Sequence, residues 1–176
     1  MLHKILIPAA MLAAATFASL SACAAEGGLN DLQIAHIAYT AGEIDIANAE
    51  QALDISKNDE VRTFAETMLR DHQAVNEAAG ALLKKLNASP EDNPTSQSLL
   101  KDAAETRARL AALTGEAFDK AYAENELAYH QLVNKTLEET LIPATENAEL
   151  KALLESGLKT FRAHEQHAQS LVDEPR

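Results

Sequence analysis

The sequence has no tryptophan, one cysteine, and aromatic residues at only 4% of its 176 positions. The single cysteine, Cys23, excludes an intramolecular disulfide in any redox compartment. It sits at the end of an apolar leader, so the chain beyond it has no thiol nucleophile. With few aromatics and abundant alanine, the core must be thin and its helices closely spaced. The 6 glycines and 5 prolines fall mostly at the ends of periodic segments, not inside them. Basic residues are scarce beside acidic ones, 15 against 27, for a net charge of −12. Such a surface repels nucleic acid and anionic lipid, and no basic patch interleaved with aromatics is present. There is no glycine-rich phosphate loop and no Gly-x-Ser-x-Gly elbow, so no catalytic motif is recognisable and a non-enzymatic role is expected. Beyond residue 20 no long apolar run occurs, and the mature chain is not expected to span a membrane.

What is present begins with the leader. A short basic start, Met1-Leu2-His3-Lys4, precedes an uncharged apolar run from Ile5 to Leu20, then small residues and a polar stretch from Glu26. That order is the signature of a secretory signal peptide over residues 1–22. Leu20-Ser21-Ala22-Cys23 matches a bacterial lipobox, which makes Cys23 a lipidation site and the new N-terminus. Cleavage near Ala24 or Ala25 is the alternative. Lipidation would tether the chain to a membrane on the periplasmic side. Residues 23–30 then read as a tether and 31–173 as one helical domain, placed in the periplasm or on the periplasmic face of the outer membrane.

The domain reads as four long amphipathic helices and a shorter one. The first, about Asp31 to Ser56, carries the stripe Ile34, Ala38, Ala41, Asp45, Asn48, Ala52, Ile55 at steps of three and four. The second, capped at Asn58 and running to about Leu86, carries Val61, Ala65, Met68, His72, Val75, Ala79, Leu82, Leu86. A loop over 87–95 leads to the short helix, with Leu99, Ala103, Leu110 and Leu113 on one side. Thr114 is placed to cap the next helix, Gly115 to about Thr140. Its inward face is wetter: Phe118, Asp119, Tyr122, Glu126, Tyr129, His130, Val133, Leu137. The last, about Glu146 to Val172, carries Leu150, Leu154, Gly157, Phe161, His164, Ala168, Leu171.

The connection over 87–114 is long enough to cross the bundle and make the third long helix parallel to the second, as in ferritin-like bundles. Under that topology Asp45, His72, Glu126, His130 and His164 fall in one slab roughly 10 Å thick, at ~1.5 Å per residue. An up-down-up-down bundle would move His164 to another level.

The run from Val61 to His72 (Val61, Phe64-Ala65, Met68, Asp71-His72), Phe118-Asp119-x-x-Tyr122 with His130, and the late His164 together resemble domain-of-unknown-function family 4142. The likeness extends from about Leu32 to Leu171. It implies an exported protein, labelled a predicted outer membrane protein, with a ferritin-like helical bundle and no established activity. Many members carry glutamate where this chain has Asp45.

Two readings of the polar layer follow. The preferred one is a buried hydrogen-bond network in which Asp45, Asn48, Tyr122 and Glu126 satisfy the histidines and fix helix register. The other is a transition-metal site for zinc, iron or copper on Asp45, His72, Glu126, His130 and His164, with His167 as a spare ligand. A ferritin-type di-iron centre is disfavoured, because Glu-x-x-His is missing: Leu69 stands three before His72 and Phe161 three before His164. Asp71 reads as flanking or solvent-facing, and His36 and Tyr39 as packing or surface residues. A third class, a bundle that docks a protein partner, lacks an obvious exposed apolar stripe.

Overall fold

The computed structural model describes residues 28–174. The leader, both cleavage alternatives and Cys23 lie outside the described residues. Among the described residues the elements are helical throughout. They are α1 (Asp31–Ile55), α2 (Asp59–Lys85), α3 (Pro94–Leu110), α4 (Gly115–Thr136), a π turn (Leu137–Leu141), α5 (Ile142–Ala144) and α6 (Ala148–Asp173). None of the helices is long and apolar enough to cross a membrane.

Asparagine starts four of these helices. Asn30 accepts from the Gln33 N–H at 2.9 Å while the Gln33 side chain accepts from the Asn30 N–H, a reciprocal capping box. Asn58, Asn93 and Asn147 cap α2, α3 and α6 in the same sense, and Pro94 follows Asn93 where no N–H is needed. Each such cap contributes about 1 kcal/mol. The expected cap at Thr114 is different. Thr114 holds the N-cap position but makes no side-chain bond to α4, and Gly115 takes a positive φ of 57° that suits a residue without Cβ.

The end of the third long helix, α4, also departs from expectation. It passes at Leu137 into the π turn and then into α5, rather than stopping near Thr140. Pro143 has no N–H and its ring crowds the preceding turn. The wider turn just ahead of it lets Leu137 and Leu141 both stay buried.

Contacts at the two ends fix the topology. At one end the Asp31 carboxylate accepts from the backbone N–H groups of Glu146 and Asn147, and Lys85 pairs with Glu149. The start of α1, the end of α2 and the start of α6 therefore meet. At the other end Ser56 donates to Asp119, and the Phe64 ring meets His167 at 5.0 Å. So α4 begins where α2 begins, and the two run parallel. The crossover α3 spans the length between: Asn93 donates to the Gln33 carbonyl at one end, and Gln51 to the Arg107 carbonyl at the other. The fold is the expected four-helix bundle with a crossover helix.

The core is in two apolar parts. One gathers Ala49, Ala52, Val61, Phe64, Met68, Phe118 and Leu171 near the α1–α2 turn. The other gathers Ile34, Ile37, Leu83, Leu137, Leu154 and Phe161 at the opposite end. The positions that separate them along the helices are Asp45, Asn48, His72, Glu126, His130 and His164.

Candidate metal centre

Each of the four long helices sends at least one polar side chain into this middle layer. Asp45 and Asn48 come from α1, His72 from α2, Glu126 and His130 from α4, and His164 from α6. Their side chains are as buried as the leucines around them: Asp45 and Glu126 at 0% exposure, His130 at 1%, His72 and His164 at 3%. The slab read from the helix levels is thus a real cluster. Ring centroids of His72 and His164 lie 5.4 Å apart, of His130 and His164 5.4 Å, and of His72 and His130 5.8 Å.

Two overlapping groups of ligand atoms result. One atom each from His72, His130 and His164 lie within 4.8 Å of one another, as do one each from Asp45, Glu126 and His130. Asp45 Oδ2 links them, 3.4 Å from both His72 Nε2 and His130 Nε2. Neither approach is aligned as a hydrogen bond. Seven buried atoms of this cluster have no hydrogen-bond partner: both oxygens of Asp45, both ring nitrogens of His72, Glu126 Oε2, His130 Nε2 and His164 Nδ1. An orphaned buried polar group costs ~1–3 kcal/mol, so seven at one place is not what a closed network leaves.

The bonds that do form aim the free atoms inward. His130 Nδ1 lies 2.9 Å from the Glu126 carbonyl oxygen, which only accepts, so Nδ1 carries the proton and the lone pair is on Nε2. His164 Nε2 lies 3.0 Å from Asp71 Oδ2, which puts the proton on Nε2 and the lone pair on Nδ1. A histidine whose outer N–H is held by a carbonyl or carboxylate is the usual arrangement of a metal-ligating imidazole. Asn48 and Asn125 both donate to Glu126 Oε1, which leaves Oε2 as its free oxygen.

Electrostatics match. Burial pushes the Asp45 carboxyl up to about 8. Burial, then the Asp45 charge, pushes Glu126 up to about 8 as well. Burial, then repulsion from its two histidine neighbours, holds His72 well below its ordinary range, and burial also lowers His130. His164 falls to about 4, again chiefly through burial, against the pull of Asp71. Near neutral pH the histidines are neutral, the form in which imidazole binds a cation.

All five residues expected as ligands are brought together, and Asn48 and Tyr122 border them. Tyr122 is fully buried and its hydroxyl has no partner. His167 is exposed and packs its ring edge on Phe64, away from the cluster. Asp71 is the residue underrated in the sequence. It is partly exposed, yet it accepts from both His164 and Arg70 Nε. Burial tends to raise its pKa, but the bonds from Arg70 and His164 outweigh this and hold it low, as an anion. Its adjacency to His72 was the available signal: neighbours on a helix point about 100° apart, so Asp71 flanks toward α6 while His72 faces inward. Phe161, expected only as core, stacks on His72 at 4.6 Å and 9°. His36 bonds Ser96 at 2.8 Å and pins α3 to α1, and Tyr39 is largely a surface residue.

Fold and site together define a crossover four-helix bundle with a histidine–carboxylate cluster at its centre. The chain belongs to the family described as "Domain of unknown function (DUF4142)", whose model matches residues 16–171. No curated protein is similar enough to count as a relative. Among solved structures the fold is similar to that of "CopM in the Cu(II)-bound form", with a TM-score of 0.61 and 16% identity over 82% of this chain and 97% of that one.

Proposed function

We propose that this protein is an exported, non-enzymatic binder of one divalent transition-metal ion in the bacterial envelope. The observation that carries this reading is the pair of overlapping donor groups, His72 with His130 and His164 and Asp45 with Glu126 and His130, buried and with seven atoms left without partners. The donor chemistry selects the ion. Imidazole nitrogen with carboxylate oxygen suits copper, zinc or iron, not calcium or magnesium, and copper(II) heads the affinity order for such donors. The copper(II)-bound bundle of similar fold supports copper as the first ion to try. Charge balance supports one ion. With both carboxyls ionised and the histidines neutral, a single divalent cation makes the cluster electrically neutral, whereas a second would leave two buried positive charges. His130 has one nitrogen committed to the Glu126 carbonyl, so it has only one to give. Ligands this buried hold an ion away from solvent, which supports sequestration over turnover. The export half of the reading rests on the leader and Cys23, and intact mass of the purified protein tests it.

The metal half is tested on untagged protein stripped of metal and dialysed against copper(II), zinc, iron(II) and manganese(II). One equivalent of at least one ion is expected, with copper(II) the tightest. The double variant His72→Ala, His164→Ala is expected to hold less than a tenth of that. Sub-stoichiometric binding of every ion, or full binding by the double variant, would sink the proposal.

A further inference from the structure

A second space in the bundle lies in the other half, next to the metal cluster but outside it. It is a partly open cavity of about 60 Å³ among α1, α2, α4 and α6, with Val75, Val133, Leu154, Gly157 and Phe161 in its wall. Its rim includes the exposed Tyr39 of α1 and the partly buried Leu99 of α3. The sequence explains why it is open. Ala35, Ala38 and Ala41 on α1 and Gly157 on α6 put little volume where an ordinary core would place leucine. A Cβ added at Gly157 would meet only the Phe161 ring, at 3.4 Å, so there is room beside it.

The wall decides what fits. A water needs roughly 10–15 Å³ of such space and two to four polar partners. Size admits more than one water, but the partners are lacking, because the lining is almost wholly aliphatic and aromatic. Asn76, one of the few polar residues there, already donates to Glu43 at 2.8 Å and to the Tyr39 carbonyl. Apolar cavities of this kind stay dry and take apolar guests. The inner end is also specific in position. Phe161 is both cavity wall and the ring stacked on His72.

We propose that this cavity is a binding site for a small apolar molecule of a few heavy atoms, seated against the ring that backs His72. The inference stands on the cavity alone and not on the metal reading. Its test is xenon, a probe of the right size and polarity. Crystals of the metal-free protein under xenon pressure are expected to show one strong site between Val133 and Phe161. Ala38→Leu, which puts three more carbons into the space, is expected to lose that site while melting at or above the wild-type temperature, and Gly157→Ala to weaken it. Absence of xenon there in the wild type, a chain of ordered waters in its place, or undiminished xenon in both filled variants would overturn the proposal. Xenon in a protein that takes up no metal keeps this inference and removes the other, and metal uptake without xenon does the reverse.

Discussion

The apolar cluster near the α1–α2 turn and the polar layer above it are equally buried, but they are satisfied in different ways. In the first, Phe64, Phe118 and Tyr122 stack or meet edge to face at 5.9–6.1 Å, Ser56 donates to Asp119, and the Tyr122 hydroxyl at the edge of the layer is the one atom of these groups left without a partner. In the second, carboxylate and imidazole atoms face one another without closing. The same helices and the same knob spacing build both. The difference teaches that equal burial does not mean equal satisfaction: the layer keeps buried donor atoms unpaired, which is what the proposed ion would satisfy.

Perturbing each region separately should expose that difference. The largest effect belongs to the apolar cluster. Phe64→Ala is expected to cost about 3–5 kcal/mol in denaturant unfolding, by the same amount with and without metal. Next is the ion itself. At a free concentration a thousandfold above Kd it should stabilise the protein by about 4 kcal/mol. That corresponds to roughly 8–16 °C in Tm for a domain of this size. The His72→Ala, His164→Ala protein should show no such rise. Smaller again is Asp71→Asn, which loosens the His164 ring without removing a ligand. Metal affinity should fall about 10–100-fold by calorimetry, and Asp71→Glu should recover part of it.

A change with pH is expected too, in the metal-free protein. Asp45 and Glu126 have pKa values raised in the fold, from ordinary values of 3.8 and 4.5 to about 8. Their contribution is present at low pH and is lost as pH rises toward 8, because the unfolded chain ionises first. The histidines run the other way. His164 falls from 6.5 to about 4, so its contribution is present above 6.5 and lost as pH drops toward 4. Between about pH 6.5 and 8 only the carboxyl contribution changes, and thermal melts of metal-free protein should fall across that window. Metal affinity should rise over the same window, since binding displaces the carboxyl protons.

Much of this was legible in the sequence. Asp45, His72, Glu126, His130 and His164 each interrupt an apolar stripe at core spacing, and the length of the 87–114 connection put them at one level. Asn58, just ahead of the second stripe, marked a helix start, whereas the caps at Asn30 and Asn147 emerged only with the structure. What was not legible depends on distances between helices. Whether Asp45 and His130 close a hydrogen bond or stop at 3.4 Å is set by how α1 packs on α4, and no periodicity encodes it. For the same reason the Asp71–His164 pair and the Phe161–His72 stack appear only when α2 and α6 are placed side by side. The cavity beside Phe161 was hidden in plain residues, since alanine and glycine at stripe positions look like close packing until the opposite wall is known.

The most direct measurement is anomalous diffraction from crystals grown with copper(II) or zinc. A single anomalous peak is expected, about 2.0–2.2 Å from His130 Nε2 and from His164 Nδ1, with His72 and a carboxylate oxygen completing the shell. A cluster with no peak, in which Asp45 has closed hydrogen bonds to His72 and His130, would contradict the metal reading and return the layer to a structural network.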